Sequence, residues 1–120
     1  HREALVNTVI SGHEKFFLGT DTAPHLKSDK ESSCGCAGIF NATNCLSTLA
    51  QIFENKNSLH MLEKFVSING TKHYECNLNK DKITLIKSNK RLLLKNCITF
   101  NNEQIMMFQP DFPVFWEVKT

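Results

Sequence analysis

The sequence predicts an α/β fold, and three features of its apolar pattern support this prediction. Residues 2–11 place apolar side chains at helical spacing, and Phe16, Phe17 and Leu18 follow as a short run that is apolar on both faces. Toward the end of the chain, helical periodicity gives way to short β-prone segments. Because a helix, a short loop and a strand buried on both faces form the unit of helix-covered sheets, we expect this class of fold.

The first part of the chain is predicted to be a helix, a strand and a long loop. The helix spans residues 2–11, and Gly12 follows it as a suitable C-terminal stop. The strand over residues 16–18 comes next. Residues 20–36 have no periodic apolar pattern and form a predicted loop of about 15 residues. Loops of this length inside a compact domain are usually functional or disordered, and the flanking elements favour a functional loop here.

Two further helices and several short strands are predicted after this loop. One helix runs from about residue 37 to residue 55 with a single apolar face, and the next starts near Ser58 and ends at Asn69 and Gly70. The remaining residues alternate or are apolar over short stretches, which is typical of strands, and the final stretch reads as an edge or terminal strand. These strand-like segments lie at residues 83–85, 92–94, 98–100 and 114–118.

Composition narrows the range of functions. With 120 residues, 41% hydrophobic and 22% charged, the sequence has the size and mix of one soluble globular domain. A formal net charge of +2 is too small to indicate nucleic-acid binding, and the basic residues are scattered. No apolar run approaches the roughly 20 residues needed to span a bilayer. We therefore expect neither a nucleic-acid partner nor a membrane partner.

The cysteines favour an intracellular protein with reduced thiols, because their number is odd and their spacing does not repeat. A secreted, disulfide-stabilised domain is the alternative. Asn41 and Asn69 each begin an Asn-x-Thr tripeptide, but this pattern often arises by chance. The cysteines are Cys34, Cys36, Cys45, Cys76 and Cys97.

Asp21 and His25 are the first candidate site residues. Asp21 follows the predicted strand, at the edge where ligands bind in α/β folds. A carboxylate there must be hydrogen-bonded, ion-paired or metal-bound, so it is either an N-cap or salt-bridge residue or a catalytic or metal-binding acid. His25, which follows Pro24, is either a surface residue or a donor to an anionic substrate.

The segment from Cys34 to Gly38 is the second candidate. Its cysteines have C-x-C rather than C-x-x-C spacing, and no second ligand pair follows, which argues against a structural zinc site. Two glycines ahead of a predicted helix start allow backbone N–H groups to approach an anion. A carboxylate or phosphate cradle and a close-packed helix start are equally compatible with this pattern.

A long block of residues resembles a known family. The block FFLGTDTAPHLKSDKESSCGCAGIFNA closely resembles the segment around the last barrel strand of dihydroorotases of the bacterial-type, single-function class. These enzymes are zinc amidohydrolases of pyrimidine biosynthesis. The similarity extends backward through HREALVNTVISG and forward, more weakly, through FVSING and WEVK. The resemblance therefore covers essentially the whole chain.

The resemblance implies a (β/α)8 barrel of the TIM type. Such a barrel needs about 250 residues, so this chain is expected to hold only its C-terminal part. The implied organisation is a single region over residues 1–120, in which the last helix-strand units of the barrel occupy about residues 1–56. Helices and a short β extension occupy about residues 57–120.

The implied activity is the reversible hydrolysis of the cyclic amide of dihydroorotate to N-carbamoyl-aspartate, in de novo pyrimidine biosynthesis. Through the resemblance, Asp21 is expected to ligate one of two zinc ions and to act as general base and acid. His25 and the backbone of Ala37 are expected to contact the carboxylate of this small-molecule substrate. The complete enzyme is expected to be a cytoplasmic homodimer.

The sequence also departs from the family. Its histidines do not reproduce the His-x-His metal pair, and no counterpart of the carboxylated bridging lysine stands out, so the remaining zinc ligands lie outside this chain. The isolated chain is therefore expected to be inactive and poorly metallated. Two alternatives remain open: another cyclic amidohydrolase, similar to hydantoinases or allantoinases, and a non-catalytic homologue that acts as a binding or structural module.

Overall fold

The computed structural model describes residues 1–33 and 35–119, in which helical elements precede the strands. In that part of the chain, none of the helices combines the length and apolar character needed to cross a membrane. The helical elements are α1 (Arg2–Ile10), α2 (Lys27–Lys30), α3 (Cys45–Asn55), a 3-10 turn (Leu59–Met61), a π-helical segment (Lys64–Ile68) and α4 (Asn69–His73). The strands are β1 (Thr84–Lys87), β2 (Cys97–Phe100), β3 (Glu103–Met106) and β4 (Trp116–Lys119).

The strands of the described residues form two separate two-stranded sheets, both antiparallel. β1 pairs with β4, which places the end of the chain against a strand that follows the helices. β2 and β3 form a hairpin whose connecting residues, Asn101 and Asn102, have φ angles of 47° and 63°. Asparagine tolerates the left-handed region better than most residues, so the sequence suits this tight turn.

The apolar core is built around α3. Ala50 and Phe53 on this helix are 0% and 1% exposed, and Leu62 completes the buried cluster. The half-buried side chains around them come from α1, from the helical turns after α3 and from the sheet of β1 and β4. They are Val9, Ile10, Leu49, Leu59, Met61, Phe65, Val66, Leu85 and Trp116. α3 therefore joins the two ends of the chain into one packed body.

The first predicted helix is confirmed, and the first predicted strand is not. α1 spans Arg2–Ile10, and Gly12 ends it with a left-handed φ of 73°. Residues 16–18 are not a strand; instead the backbone N–H of Leu18 donates to the carbonyl oxygen of Phe65 at 3.0 Å. A strand needs a neighbour to pair with, and no strand of the described residues lies beside this segment.

The helix predicted to end at Asn69 and Gly70 continues beyond them, so residues 59–73 form consecutive helical turns. Asn69 is 2% exposed, and its side-chain amide donates to the carbonyl oxygens of His13 and Phe16 at 3.1 and 2.8 Å. The residue holds the segment after α1 against the helix instead of ending the helix. A glycan acceptor is expected on an exposed asparagine, so the tripeptide at Asn69 does not fit glycosylation.

The helix predicted over residues 37–55 is wrong at its start, because α3 begins only at Cys45. Gly38 has a φ of 96°, which no helix accommodates, and Ile39 pairs with Thr22 in an isolated parallel bridge. The backbone of these residues is therefore committed to another loop. The apolar face predicted for the helix itself is confirmed.

The predicted strands are confirmed in part. β1, β2 and β4 overlap three of the four predicted segments, and β4 is a terminal strand as expected. Residues 92–94 are not a strand, although they are apolar. β3 was not predicted, because its sequence, EQIM, places two polar residues before two apolar ones and so lacks alternation.

Glu54 of α3 binds the terminal strand to the helical core. Its carboxylate accepts hydrogen bonds from Trp116 Nε1 at 3.0 Å, Lys87 Nζ at 2.7 Å and Gln51 Nε2 at 3.2 Å. The side-chain oxygen of Gln51 accepts a hydrogen bond from the backbone N–H of Phe115 at 3.0 Å. The pKa of Glu54 is lowered, chiefly by the hydrogen bond from Lys87, while desolvation opposes this shift.

We expect the chain to lose stability as the pH falls through the titration range of Glu54. A carboxylate with a lowered pKa in the folded state stabilises the fold above its ordinary value, here 4.5, and this contribution disappears as the pH falls through the folded pKa. Thermal unfolding between about pH 3 and pH 7 should show a weaker acid dependence for Glu54→Gln than for the unmodified chain. Glu117→Gln, exposed on β4, is the control; equal acid dependence of Glu54→Gln and the unmodified chain would contradict the assignment.

Candidate functional site

Two loops that are distant in sequence lie side by side: residues 19–26 and residues 36–41, which we call the paired loops. Thr22 and Ile39 form a parallel bridge between them. The backbone N–H of Ala23 donates to the carbonyl oxygen of Ile39 at 2.8 Å. This pairing brings together the two segments in which the sequence analysis placed candidate site residues.

Asn41 and Gly38 fix the spacing of the paired loops. The backbone N–H of Asn41 donates to Thr22 Oγ1 at 3.1 Å, and its Nδ2 donates to the carbonyl oxygen of Thr20 at 3.2 Å. Gly38 has a left-handed φ of 96°, and a Cβ at this position would lie 2.6 Å from the Cβ of Ala23. Because real Cβ contacts are longer than this, any other residue at position 38 would force the loops apart.

Lys30 closes the same region from α2. Its amine donates to the carbonyl oxygen of Cys36 at 3.0 Å and to that of Gly38. The backbone N–H of Cys36 donates in turn to the carbonyl oxygen of Asp29 at 3.3 Å. The conformation of the second paired loop therefore depends on a cation that the sequence analysis did not identify, since nothing in the sequence indicates which carbonyl groups Lys30 reaches.

Asp21 lies on the first paired loop with its side chain exposed. It is not an N-cap, because Leu26 holds that position for α2. None of the ion pairs between described residues includes Asp21. Among the described residues, Asp21 therefore takes part in neither an N-cap nor an ion pair. Its φ of 40° is left-handed, a conformation that costs energy in most residues and is often retained at functional sites.

His25 and Ala37 are the other predicted site residues. His25 is half-buried at the end of the first loop, next to Leu26, which forms an antiparallel bridge with Ile105 of β3. Ala37 is exposed on the second loop, immediately before Gly38. The structure thus places Asp21 and His25 on one paired loop and Ala37 on the other, while the roles assigned to them stay predictions.

The two interpretations of residues 34–38, an anion cradle and a close-packed helix start, both assumed that a helix follows directly, and this assumption is wrong. This segment does not lead into a helix, because α3 begins at Cys45, so a helix dipole does not act there. Cys34 lies outside the described residues. The described part of the segment instead forms the beginning of the second paired loop, with the carbonyl groups of Cys36 and Gly38 bound by the amine of Lys30.

The paired loops supply too few ligand side chains to hold a metal ion by themselves. Within residues 1–33 and 35–119, no group of three or more His, Cys, Asp or Glu side chains is placed to hold a metal ion. Asp21 offers one exposed carboxylate, which suits a single ligand position. The described residues therefore do not form a complete metal site by themselves.

Comparison with known proteins gives matches over nearly the whole chain, although no protein-family model matches it. The chain is 44% identical over 119 residues to a dihydroorotase of Chelativorans sp. (strain BNC1), covering 99% of this chain and 34% of that protein. It is 45% identical over 120 residues to a dihydroorotase of Cereibacter sphaeroides, covering 100% of this chain and 34% of that protein. The chain therefore spans about a third of the length of the curated relatives it matches.

Solved structures give the same result. The structure of Saccharomyces cerevisiae dihydroorotase in complex with 5-fluoroorotic acid matches with a TM-score of 0.88 and 31% identity, over 98% of this chain and 34% of the other. Campylobacter jejuni dihydroorotase matches with a TM-score of 0.79 and 32% identity, over 99% and 34%. The resemblance to the C-terminal portion of dihydroorotases is thus confirmed, and the fold is part of an amidohydrolase fold with mixed helix and strand content.

Proposed function

We propose that the chain is the C-terminal portion of a dihydroorotase, which interconverts dihydroorotate and N-carbamoyl-aspartate by opening and closing a cyclic amide. One observation carries this proposal: the paired loops bear Asp21, His25 and Ala37 in a fold that matches a dihydroorotase bound to 5-fluoroorotic acid with a TM-score of 0.88. That ligand is a cyclic pyrimidine with a carboxylate. A substrate of the same chemical type is therefore proposed here.

The proposed architecture extends the matched fold to a (β/α)8 barrel. Residues 1–56, approximately, would supply its last helix-strand units, and residues 57–120 would form the extension. Two features support this division. α1, the non-helical segment 16–18 and α3 follow one another along the chain, and in the proposed barrel the segment 16–18 would pair as a strand with a neighbour from outside this chain. The elements that follow α3 in the sequence, namely the helical turns after it and the sheet of β1 and β4, also pack against this helix.

Asp21 is proposed to carry the proton of the reaction. As water adds to the ring carbonyl, the carboxylate accepts its proton; as the carbon–nitrogen bond breaks, the same proton passes to the leaving nitrogen. In the reverse direction Asp21 removes the proton from the amide nitrogen and returns it to the departing water. The exposed position of Asp21 supports this role, because a general acid–base group must reach the substrate.

His25 and Ala37 are proposed to bind the substrate carboxylate. The imidazole of His25 and the backbone N–H of Ala37 are both able to donate to a carboxylate oxygen. They lie on opposite members of the paired loops, whose spacing is fixed by Gly38 and Asn41. This arrangement supports a site that holds the carboxylate at a defined distance from Asp21.

Zinc is the proposed cofactor, as two ions in the complete enzyme, with Asp21 supplying one ligand. When bound, zinc would polarise the carbonyl group and lower the pKa of the attacking water. The other ligands would come from outside this chain, since the described residues do not form a complete site. The complete enzyme is further proposed to be a cytoplasmic homodimer that acts in pyrimidine biosynthesis; these three points rest on the resemblance.

A chimera tests the proposed function. In this protein, called the graft, the chain replaces the matching third of the Chelativorans dihydroorotase, to which it is 44% identical. We expect the graft to hydrolyse dihydroorotate, because the replaced part brings Asp21, His25 and Ala37 to the remaining site residues. The isolated chain should show no turnover.

Two controls and three contrary outcomes accompany the turnover measurement on the graft. The unmodified Chelativorans protein is the positive control, and the same protein lacking its matching third is the negative control. A graft that turns over hydantoin but not dihydroorotate would indicate a different cyclic amidohydrolase. A folded graft without turnover of either would indicate a non-catalytic module, and turnover by the isolated chain would refute the proposal that essential ligands lie outside it.

A further inference from the structure

The amine of Lys30 binds the two backbone carbonyl groups that flank Ala37. Its Nζ donates to the carbonyl oxygen of Cys36 at 3.0 Å and to that of Gly38. Lys30 is half-buried at the end of α2, and none of the ion pairs between described residues includes it. A lysine amine has N–H donors and no acceptor, so its positive charge acts here on backbone oxygen atoms. The conformation of the chain on both sides of Ala37 therefore depends on this one cation.

The carbonyl group of Cys36 and the N–H of Ala37 belong to the same peptide group. In a trans peptide group the C=O and N–H bonds lie in one plane and point in opposite directions. Because the carbonyl oxygen of Cys36 faces Lys30, the N–H of Ala37 faces away from it. Within residues 1–33 and 35–119 no backbone carbonyl accepts a hydrogen bond from this N–H, and Ala37 is exposed. Lys30 thus orients a backbone donor at the surface of the second paired loop.

The positive charge of Lys30 also strengthens this donor. A cation at a carbonyl oxygen withdraws electron density from the peptide nitrogen, and hydrogen bonds in a chain polarise one another. The N–H of Ala37 is therefore a better donor to an anion than an ordinary peptide N–H. The second bond, to the carbonyl oxygen of Gly38, fixes the far side of Ala37, so this residue is held between two anchored peptide groups. Orientation and polarisation both favour a negatively charged acceptor in front of Ala37.

We propose that Lys30 is a positioning residue of the enzyme, which holds and polarises the peptide group of Ala37 so that its N–H binds the substrate carboxylate. This inference rests on the proposed function, in which Ala37 contacts that carboxylate. Lys30 acts through the peptide group, not on the reacting atoms. It therefore sets the affinity for the carboxylate and not the proton transfer, which is assigned to Asp21 on the other paired loop.

Lys30→Met in the graft tests this role through the separation of KM from kcat. Methionine keeps an unbranched side chain and removes the amine. We expect the KM for dihydroorotate to rise about tenfold, the usual effect of losing a hydrogen bond to a charged group, while kcat stays within about twofold. Lys27→Met is the matched control, because Lys27 lies on the same helix and its ion pair is with Glu31. It removes the same charge and should leave KM and kcat unchanged.

A pair of ligands separates an effect on the carboxylate from a general loosening of the site. 5-Fluoroorotic acid, the ligand of the matched yeast structure, carries the carboxylate, and 5-fluorouracil is the same ring without it. In the Lys30→Met graft we expect the Kd of 5-fluoroorotic acid, measured by calorimetry, to rise about tenfold. The Kd of 5-fluorouracil should not change. An equal rise for both ligands would overturn the proposal, because Lys30 would then support the whole pocket.

The other outcomes of these measurements also decide the matter. An unchanged KM in the Lys30→Met graft, or a fall in kcat at constant KM, overturns the proposal. A Lys30→Met graft that does not fold does the same, because Lys30 then supports the fold as a whole. If the unmodified graft has no turnover but binds 5-fluoroorotic acid, the proposed catalytic function fails, while the two Kd values still test Lys30. A graft that neither turns over nor binds this ligand overturns both proposals, so the two failures are distinguishable.

Discussion

Asp21→Asn in the graft is expected to lower the rate of dihydroorotate hydrolysis by about 10²- to 10⁴-fold, the usual contribution of a general acid–base group. The asparagine amide has nearly the same shape as the aspartate carboxylate, but it does not accept and return a proton as the carboxylate does. Asparagine tolerates a left-handed backbone as well as aspartate does, so the φ of 40° at this position is not a reason for the fold to change. Steady-state rates measured together with the Tm separate the chemical effect from a structural one.

Asp81→Asn provides the control for this experiment, because Asp81 is exposed outside the paired loops. It should leave both the rate and the Tm unchanged. If Asp21→Asn retains the rate of the unmodified graft, Asp21 is not the proton carrier. The chain would then contribute only binding or structure to the enzyme.

Phe53→Ala is expected to lower the free energy of unfolding by about 3–5 kcal/mol, the usual effect of truncating a fully buried aromatic residue. Phe53 is 1% exposed, lies in the core cluster, and has its ring centroid 5.8 Å from that of Phe65. Because α3 joins both ends of the chain, a cavity at this position removes contacts with α1 and with the helical turns after α3. Urea unfolding of the isolated chain measures the effect.

Phe100→Ala is the matched control for the core substitution, since Phe100 is 61% exposed on β2. Its effect should stay within about 0.5 kcal/mol, as for most surface positions. A similar loss of stability for both variants would show that the core is not centred on α3.

The sequence analysis correctly predicted the elements that depend only on the spacing of residues within one segment. α1 and the apolar face of α3 depend on spacing within one segment, and both are present in the structure. The start of α3 depends instead on Ile39, which pairs with Thr22 from a distant loop. Periodicity describes one segment at a time and does not report such pairing, which is why the helix was placed too early.

The same distinction applies to the site. Asp21 and His25 were candidates from the pattern alone, which left Asp21 open between an N-cap or salt-bridge residue and a functional acid. Ala37 and the roles assigned to all three residues came from the resemblance to dihydroorotases, and these roles stay predictions. Lys30 was missed, because its amine acts on two carbonyl groups whose positions depend on the folded loop. Gly38 was noticed as a glycine, but its contact with a loop far upstream has no signal in the sequence.

The contact between Gly38 and Ala23 has a consequence for how such an enzyme diverges. The gap between the loops is set by one absent methyl group, since a side-chain carbon at position 38 would come within 2.6 Å of the Ala23 methyl. Asp21, the proposed proton carrier, and His25 stand on one side of that gap, and Ala37, the other proposed carboxylate donor, stands on the opposite side. We therefore expect the enzyme to accommodate a substrate of another size by exchanging side chains that face the ligand. A change at Gly38 or Ala23 would alter the spacing of the two loops and so the geometry of the whole site.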